Sequence, residues 1–246
     1  MTINIKVNTK LIMRIMWIIA TCLIILGVIV ALLLAFTPYK TALGLIPLFN
    51  MDLELTVTAY YNSFILAFSA LMLLLIAQDK KKTKDKFWKY WRFLSFGFLF
   101  LSLDEAASIH EFIANIPRHY MQITSPINFA IAILGFAVTL ITLTIYFKFL
   151  MSLPSNTRMQ FLVSGFVYVL GAFGAELMGG FISSVGPGWS SGYYLTEVVI
   201  EESLEIIGIT LFIRALILYI ENDLFAVGSI FQTDNTNQHG SLAGLI

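Results

Sequence analysis

The sequence predicts an all-α, polytopic membrane protein, and its composition, its hydropathy and the lengths of its apolar runs support that prediction. The 246-residue chain is 58% hydrophobic and only 12% charged, whereas about 25% charged residues is usual in soluble domains. Its mean hydropathy is +0.84. Six stretches each supply the roughly 20 mostly apolar residues that a transmembrane helix requires. We therefore expect a bundle of six transmembrane helices in one domain, residues 1–220.

The six predicted spans follow one another with short connections. Their bounds are 12–36, 54–77, 90–113, 127–150, 159–183 and 194–219. The first span contains an uncharged run longer than the roughly 7–15 residues of a signal-peptide core, so we expect it to be retained as a helix. The polar stretch QTDNTNQHGS lies beyond the last span. Residues 221–246 are therefore expected to form a flexible cytoplasmic tail.

The distribution of basic residues predicts the orientation of the bundle. Residues 78–92 form a short loop that contains seven of the 15 Lys and Arg residues, as is typical of the cytoplasmic side. Alternation from this loop puts both termini in the cytoplasm and leaves only Lys40 and Arg118 outside. We take the membrane to be a bacterial inner (plasma) membrane. The charges of the loop would also attract anionic membrane lipids, although a role in setting topology is the simpler explanation.

Charge and cysteine content exclude several classes of function. The formal net charge is zero, which gives no case for nucleic-acid binding. Cys22 is the one cysteine, so the chain forms neither an internal disulfide nor a metal site of several cysteines. The sequence also contains neither Glu-x-x-His nor His-Glu-x-x-His, the metal-binding motifs of helix-bundle di-iron proteins and of zinc proteases.

Eight carboxylates interrupt the predicted spans, with almost no basic residue beside them. They are Asp104, Glu105, Glu111, Glu176, Glu197, Glu201, Glu202 and Glu205. An ionisable side chain at the centre of a bilayer costs roughly 2.5–3.5 kcal/mol on insertion scales. Such residues must hold protons, line water or bind a cation. The sequence therefore predicts an acidic site inside the membrane.

Topology and helical periodicity predict that these acids meet. Alternation of the spans puts all of them in the outer half of the bilayer, and three spans each carry one polar face at about 100° per residue. We expect the three faces to surround a common cavity that opens outward. The predicted cavity-lining residues are Glu54, Thr58, Tyr61, Asn62, Tyr194 and Glu197. Gly171, Ala175 and Gly179 form a small-xxx-small series that allows close helix packing in the fifth span.

Clustered carboxylates repel one another, so protons, a metal ion or a cationic substrate must compensate their charge. We favour a divalent metal ion, because carboxylate oxygens suit hard cations and imidazole would extend the choice to zinc or iron. The predicted metal ligands are Asp104, Glu111, Glu201, Glu205, Glu176 and His110. His110 points away from the main acidic face, so the other hypothesis for it is a hydrogen bond to a neighbouring helix or carboxylate.

The function that this site suggests is that of a metal-dependent membrane enzyme acting on a lipid-like substrate. Glu105, Glu202 and Ser108 are the candidate catalytic residues, although a serine in a helix more often bonds its own backbone. A second hypothesis is a proton- or cation-coupled transporter or channel. It would need a path to the inside, and the inner halves of three of these spans are almost wholly apolar. A third hypothesis is an accessory subunit whose acids pair with a membrane protein partner.

Overall fold

The computed structural model of this protein describes residues 8–109, 112, 127–175 and 192–224. Seven α-helices occupy most of these residues, and no β-strand occurs among them. The helices are α1 (Thr9–Phe36), α2 (Leu45–Phe49), α3 (Val57–Lys82), α4 (Trp88–Ala107), α5 (Ile127–Ser152), α6 (Ser155–Val169) and α7 (Gly192–Tyr219). A 3₁₀ turn (Ala42–Gly44) precedes α2, and π-helical turns follow α6 (Leu170–Ala175) and α7 (Ile220–Leu224). The all-α prediction is confirmed.

Four helices in the described residues are long and apolar enough to cross a membrane. They are Thr9–Phe36, Val57–Lys82, Gly135–Ser152 and the continuous stretch Gly192–Asp223. These helices agree with a multi-pass membrane protein. The described parts of the predicted spans 90–113 and 159–183 overlap α4 and α6 with its π turn, but these described helices are not both long and apolar enough to be counted as membrane spans. Six spans and two cytoplasmic termini therefore stay predictions.

α1 packs against α7 through residues that recur every three or four positions. The Asn8 side chain begins the helix by accepting a hydrogen bond from the Leu11 N–H at 3.1 Å. The buried positions of α1 are Met16, Ala20, Leu23, Gly27 and Val30. At Gly27 an added Cβ would lie 2.5 Å from the Met51 sulfur. This close approach fixes the segment between α2 and α3 against α1.

α3 and α4 form an antiparallel pair that is joined by small polar side chains. Ser63 and Ser102 each donate to the other's backbone carbonyl oxygen, at 2.8 and 2.9 Å. About two helical turns further along α3, the Ala70 carbonyl oxygen accepts a hydrogen bond from the Ser95 hydroxyl of α4 at 2.7 Å. Small hydroxyl side chains let helix backbones approach closely and supply hydrogen bonds where water is excluded. These contacts set the register between the two helices.

Aromatic rings fill the bundle at the end where α3 meets α4. Trp91 is 1% exposed and packs edge-on against Phe149 of α5 with ring centroids 5.0 Å apart. It also stacks on Tyr219 of α7 at 5.0 Å. Phe161 of α6 completes the contact with Trp91 at 6.0 Å. Because four helices contribute to this cluster, it closes the bundle core near the basic loop.

α6 and α7 approach each other most closely at glycines. An added Cβ at Gly208 would lie 2.7 Å from the Tyr168 backbone nitrogen, and one at Gly171 would lie 2.8 Å from the Glu201 carbonyl oxygen. Gly171, the first member of the predicted small-residue series, thus lies against α7. The side chain of Ala175 and all of Gly179 fall outside the described residues.

The structure differs from the sequence-based helix bounds at three places. α4 ends at Ala107 and Ser108 adopts a left-handed conformation (φ 49°), so the predicted span 90–113 is not one unbroken helix. α3 begins at Val57, after Thr56 caps it by accepting from the Ala59 N–H at 3.2 Å. Glu54 therefore precedes the helix. The segment between α1 and α3 contains helical turns at 42–49 that hydropathy does not indicate.

We expect Gly208→Ala to destabilise the protein, because its new methyl group would collide with the backbone of α6. Overpacking of this kind costs about 1–3 kcal/mol, which a thermal melt of the detergent-purified protein would detect. Gly165→Ala is the matched control, because a Cβ at Gly165 meets nothing within 4 Å. Equal melting temperatures for the two variants would contradict the close packing of α6 on α7.

Candidate functional site

One buried amide joins carboxylates from two other helices. The Asn62 side-chain nitrogen on α3 donates to Glu105 Oε1 on α4 at 3.4 Å and to Glu205 Oε2 on α7 at 3.3 Å. We call this pair of contacts the Asn62 bridge. Three helices therefore bring polar side chains to one point between them. Both distances are long for hydrogen bonds, so the contacts hold position more than they add strength.

Two of the three side chains of the Asn62 bridge are buried, and the third, Glu105, is half-buried. Asn62 is 0% exposed and Glu205 is 9% exposed. The Asn62 carbonyl oxygen Oδ1 is buried and has no hydrogen-bond partner among the described residues. Thr58, one turn earlier on the same face of α3, also has a buried, unpartnered hydroxyl oxygen within the described chain. A buried polar atom without a partner costs about 1–3 kcal/mol.

Further carboxylates surround the bridge. Glu205 interacts electrostatically with Glu202, Glu105 and Glu201. Glu202 in turn interacts with Glu54, which reaches the cluster from the turn before α3. We use the name carboxylate cluster for Glu54, Asp104, Glu105, Glu201, Glu202 and Glu205. The cluster gathers these acids in the half of the bundle that lies opposite the basic loop 78–92.

Tyr168 connects α6 to the carboxylate cluster. It interacts electrostatically with Glu205, Glu105, Glu202 and Asp104. Its backbone lies against Gly208 of α7, as described above. Asp104 therefore faces the same region as the other acids, although Glu105 is the α4 residue that contacts the Asn62 bridge.

Gly171 places the π turn directly beside the bridge. Its missing Cβ would lie 3.2 Å from the Glu205 side-chain carbon Cγ. π-helical turns are rare and occur frequently at functional sites. Here the turn and the glycine bring the α6 segment against the part of α7 that carries Glu201 and Glu205. A larger residue at position 171 would displace the Glu205 side chain.

A second polar contact lies at the end of α7 nearest the cluster. The Tyr194 hydroxyl donates a hydrogen bond to Asp52 Oδ1 in the turn before α3. Tyr194 also interacts electrostatically with Glu197 and Glu201. This contact ties the segment between α2 and α3 to α7. Glu197 lies one helical turn before Glu201 on α7.

The other predicted site residues fall in different places. Tyr61 donates to the Met16 carbonyl oxygen of α1 at 3.0 Å, so it braces α1 as well as α3. Ser108 follows the end of α4, which breaks the helical face that it was expected to share with Asp104. Glu111, His110 and Glu176 lie outside the described residues. Their predicted metal-binding roles therefore stay predictions.

Within the described residues, no three Asp, Glu, His or Cys side chains converge closely enough to hold a metal ion by themselves. The Asn62 bridge brings together two carboxylates and one amide, which is a different set of donors. Asn62 was expected only to line the cavity. A buried Asn on the polar face of an otherwise apolar helix is the sequence signal that marked its position, but no pattern indicates which carboxylates it contacts.

The fold and the site together define a helical, multi-pass membrane protein with carboxylates and an amide gathered between its helices. The chain belongs to the family described as Domain of unknown function (DUF8692), whose family model matches residues 16–220. The match includes every residue of the Asn62 bridge and the carboxylate cluster. Neither a curated protein nor a solved structure matches the chain.

A double-mutant cycle tests the Asn62 bridge. We expect Asn62→Ala and Glu205→Ala to show a coupling free energy of about 0.5–3 kcal/mol in unfolding experiments in mixed micelles, because the residues are in direct contact.

Ser69→Ala combined with Glu205→Ala is the matched control. Ser69 is equally buried on α3, but it donates to Ile65 of its own helix at 2.9 Å. The control pair should be additive within about 0.5 kcal/mol. Additivity of Asn62→Ala with Glu205→Ala would show that the bridge does not form.

Proposed function

We propose that this protein binds a divalent cation between its helices, with Glu105, Glu205 and Asn62 as the central ligands. The contact of Asn62 with both carboxylates is the observation that carries the proposal. The remaining acids of the carboxylate cluster would complete the ligand set or hold protons. We further propose that the site lies in the outer half of the membrane, since it is opposite the basic loop.

The orphan oxygen of Asn62 supports a cation at this point. An amide can rotate so that its Oδ1 and Nδ2 atoms exchange places, because the two groups have nearly the same shape. In the structure Nδ2 faces the two carboxylates, and Oδ1 has no hydrogen-bond partner in the described part of the chain. If Oδ1 faced the carboxylates instead, it would lie beside one oxygen of Glu105 and one of Glu205, and the three oxygens would repel one another. A bound cation removes that repulsion and satisfies Oδ1.

The donors of the bridge suit a hard cation, because carboxylate and amide oxygens are the ligands that Ca²⁺ binds in proteins. Calcium also accepts its ligands in a flexible geometry, whereas Mg²⁺ demands a near-ideal octahedron and usually keeps several of its waters. We therefore propose Ca²⁺ as the first ion to test.

The closed aromatic end of the bundle favours a one-sided site over a transport path. Trp91, Phe149 and Phe161 fill the core between the carboxylate cluster and the basic loop. All three are at most 7% exposed. A transported ion would have to pass this cluster. The cation is therefore proposed to enter and leave on the side of the acids.

The enzymatic form of this proposal adds a lipid-like substrate at the same site. Glu201 and Glu202 are half-buried on α7 and lie beside the bridge, so they are the carboxylates that would take up a proton from an attacking water. A bound divalent cation would supply Lewis acidity. Ser108 is no longer favoured as a nucleophile, because α4 ends before it.

Elemental analysis tests the cation site directly. Purified without chelator and dialysed against Ca²⁺, the wild-type protein should retain close to one equivalent of metal. Glu205→Gln keeps the side-chain size but removes the charge, and we expect the affinity to fall at least about tenfold, because Glu205 is a central ligand. Isothermal titration with Ca²⁺ would measure the difference.

Glu221→Gln is the matched control for that experiment. Glu221 is an exposed carboxylate beyond the end of α7, where it accepts a hydrogen bond from Thr9. Its removal should leave the metal content unchanged. Equal metal content in the wild type and in Glu205→Gln would exclude a cation held by Glu205, and absence of metal from both would indicate that the buried carboxylates are protonated.

A further inference from the structure

The connection between α3 and α4 is a rigid basic turn. α3 ends at Lys82, and Lys84 adopts a left-handed conformation with φ 56°. The Asp85 N–H donates to the Lys80 carbonyl oxygen at 2.9 Å, and the Asp85 side chain accepts from the Phe87 N–H at 2.7 Å. These bonds fix the position at which α4 begins, and hence the position of Trp88.

Five basic side chains of this region lie over aromatic rings. Lys81 and Lys89 place their ammonium nitrogens 5.3 and 5.8 Å from the centroid of the same ring, that of Trp88. The other three contacts are Lys80 over Tyr219, Lys86 over Phe87 and Arg92 over Phe96. Basic residues that only set the membrane topology would not have to contact aromatic rings, because the positive-inside rule depends on charge alone.

Both helices that the basic turn connects expose large apolar side chains. Phe93 and Phe96 of α4 are 65% and 49% exposed, and Leu71 and Leu75 of α3 are 52% and 53% exposed. Charged groups and a tryptophan above exposed aliphatic and aromatic side chains match the two parts of a phospholipid, its headgroup and its acyl chains.

We propose that Lys81, Lys89 and Trp88 form a headgroup site for an anionic phospholipid. The two ammonium groups pair with the phosphate, the indole ring holds them at the membrane interface, and the acyl chains lie on the exposed faces of α3 and α4. Residues 78–92 contain seven basic residues and two acids, Asp79 and Asp85, and Asp223 of the π turn after α7 adds a third acid near Tyr219, so the region is positively charged. The site is independent of the Asn62 bridge, because Lys81 lies about 28 Å along α3 from Asn62.

Native mass spectrometry of the detergent-purified full chain tests this proposal. Titration with phosphatidylglycerol should give a stoichiometric lipid adduct that phosphatidylcholine does not give at the same concentration. Lys81→Gln combined with Lys89→Gln should weaken phosphatidylglycerol binding about tenfold or more, because each basic residue at an anionic surface contributes substantially to binding. Trp88→Leu, which keeps every charge, should weaken it severalfold.

Lys82→Gln combined with Lys84→Gln is the matched control. Both residues are exposed in the same turn, and neither makes a ring contact among the described residues. The control removes the same charge from the same region but leaves the proposed headgroup site intact, so it should weaken binding clearly less than Lys81→Gln combined with Lys89→Gln. Equal losses in the two double variants would show diffuse electrostatic attraction, and equal binding of the two lipids would show no headgroup site. Either result would overturn the proposal.

Discussion

The contact of one amide with two buried carboxylates is the constraint on which the rest of the structure depends. Glu205 lies midway along an apolar helix, where a charged group is expensive to bury without a partner. Asn62 supplies the partner from α3 and shares it with Glu105 of α4. Since the side chains are short, α3, α4 and α7 must lie at a fixed distance and rotation. The bridge thus fixes the relative positions of the three helices and gives their buried carboxylates a hydrogen-bond partner.

Close backbone packing supports that arrangement from both sides. The paired serines Ser63 and Ser102 hold α3 against α4 beside the bridge, since Ser63 directly follows Asn62. On the opposite side, Gly171 lets the π turn reach Glu205, and Gly208 lets α7 meet the backbone of α6. In a membrane the hydrophobic effect does not drive helices together, so small residues and hydrogen bonds decide which faces meet. The site is therefore held by the same interactions that hold the fold.

Hydropathy was sufficient to predict an all-helical chain and the positions of the four helices of membrane-spanning length. Hydropathy did not predict the positions at which the backbone leaves the regular α-helical conformation. Ser108 ends α4 in a left-handed conformation within a stretch that looks continuous. The turns at 42–49 and the π turn Leu170–Ala175 also lack a hydropathy signal.

Helical periodicity placed Asn62, Glu105 and Glu205 on faces that turn toward a common centre. It could not predict that Asn62 contacts both carboxylates, because a helical wheel gives the direction of a side chain and not its partner on another helix. Glu54 was expected on the same helical stripe as Asn62. It lies before the helix instead, since Thr56 provides the cap. Because the Thr56 cap starts the helix at Val57, Glu54 lies outside a helix in which hydropathy had included it.

Crystals of the protein grown with Ca²⁺ and examined by anomalous diffraction at long wavelength would test the central claim most directly. The account predicts one anomalous peak between the side chains of Glu105, Glu205 and Asn62, with the Asn62 oxygen directed toward it. The claim would be contradicted if the Asn62 bridge were intact with no anomalous peak beside it, or if the only peak lay among other residues.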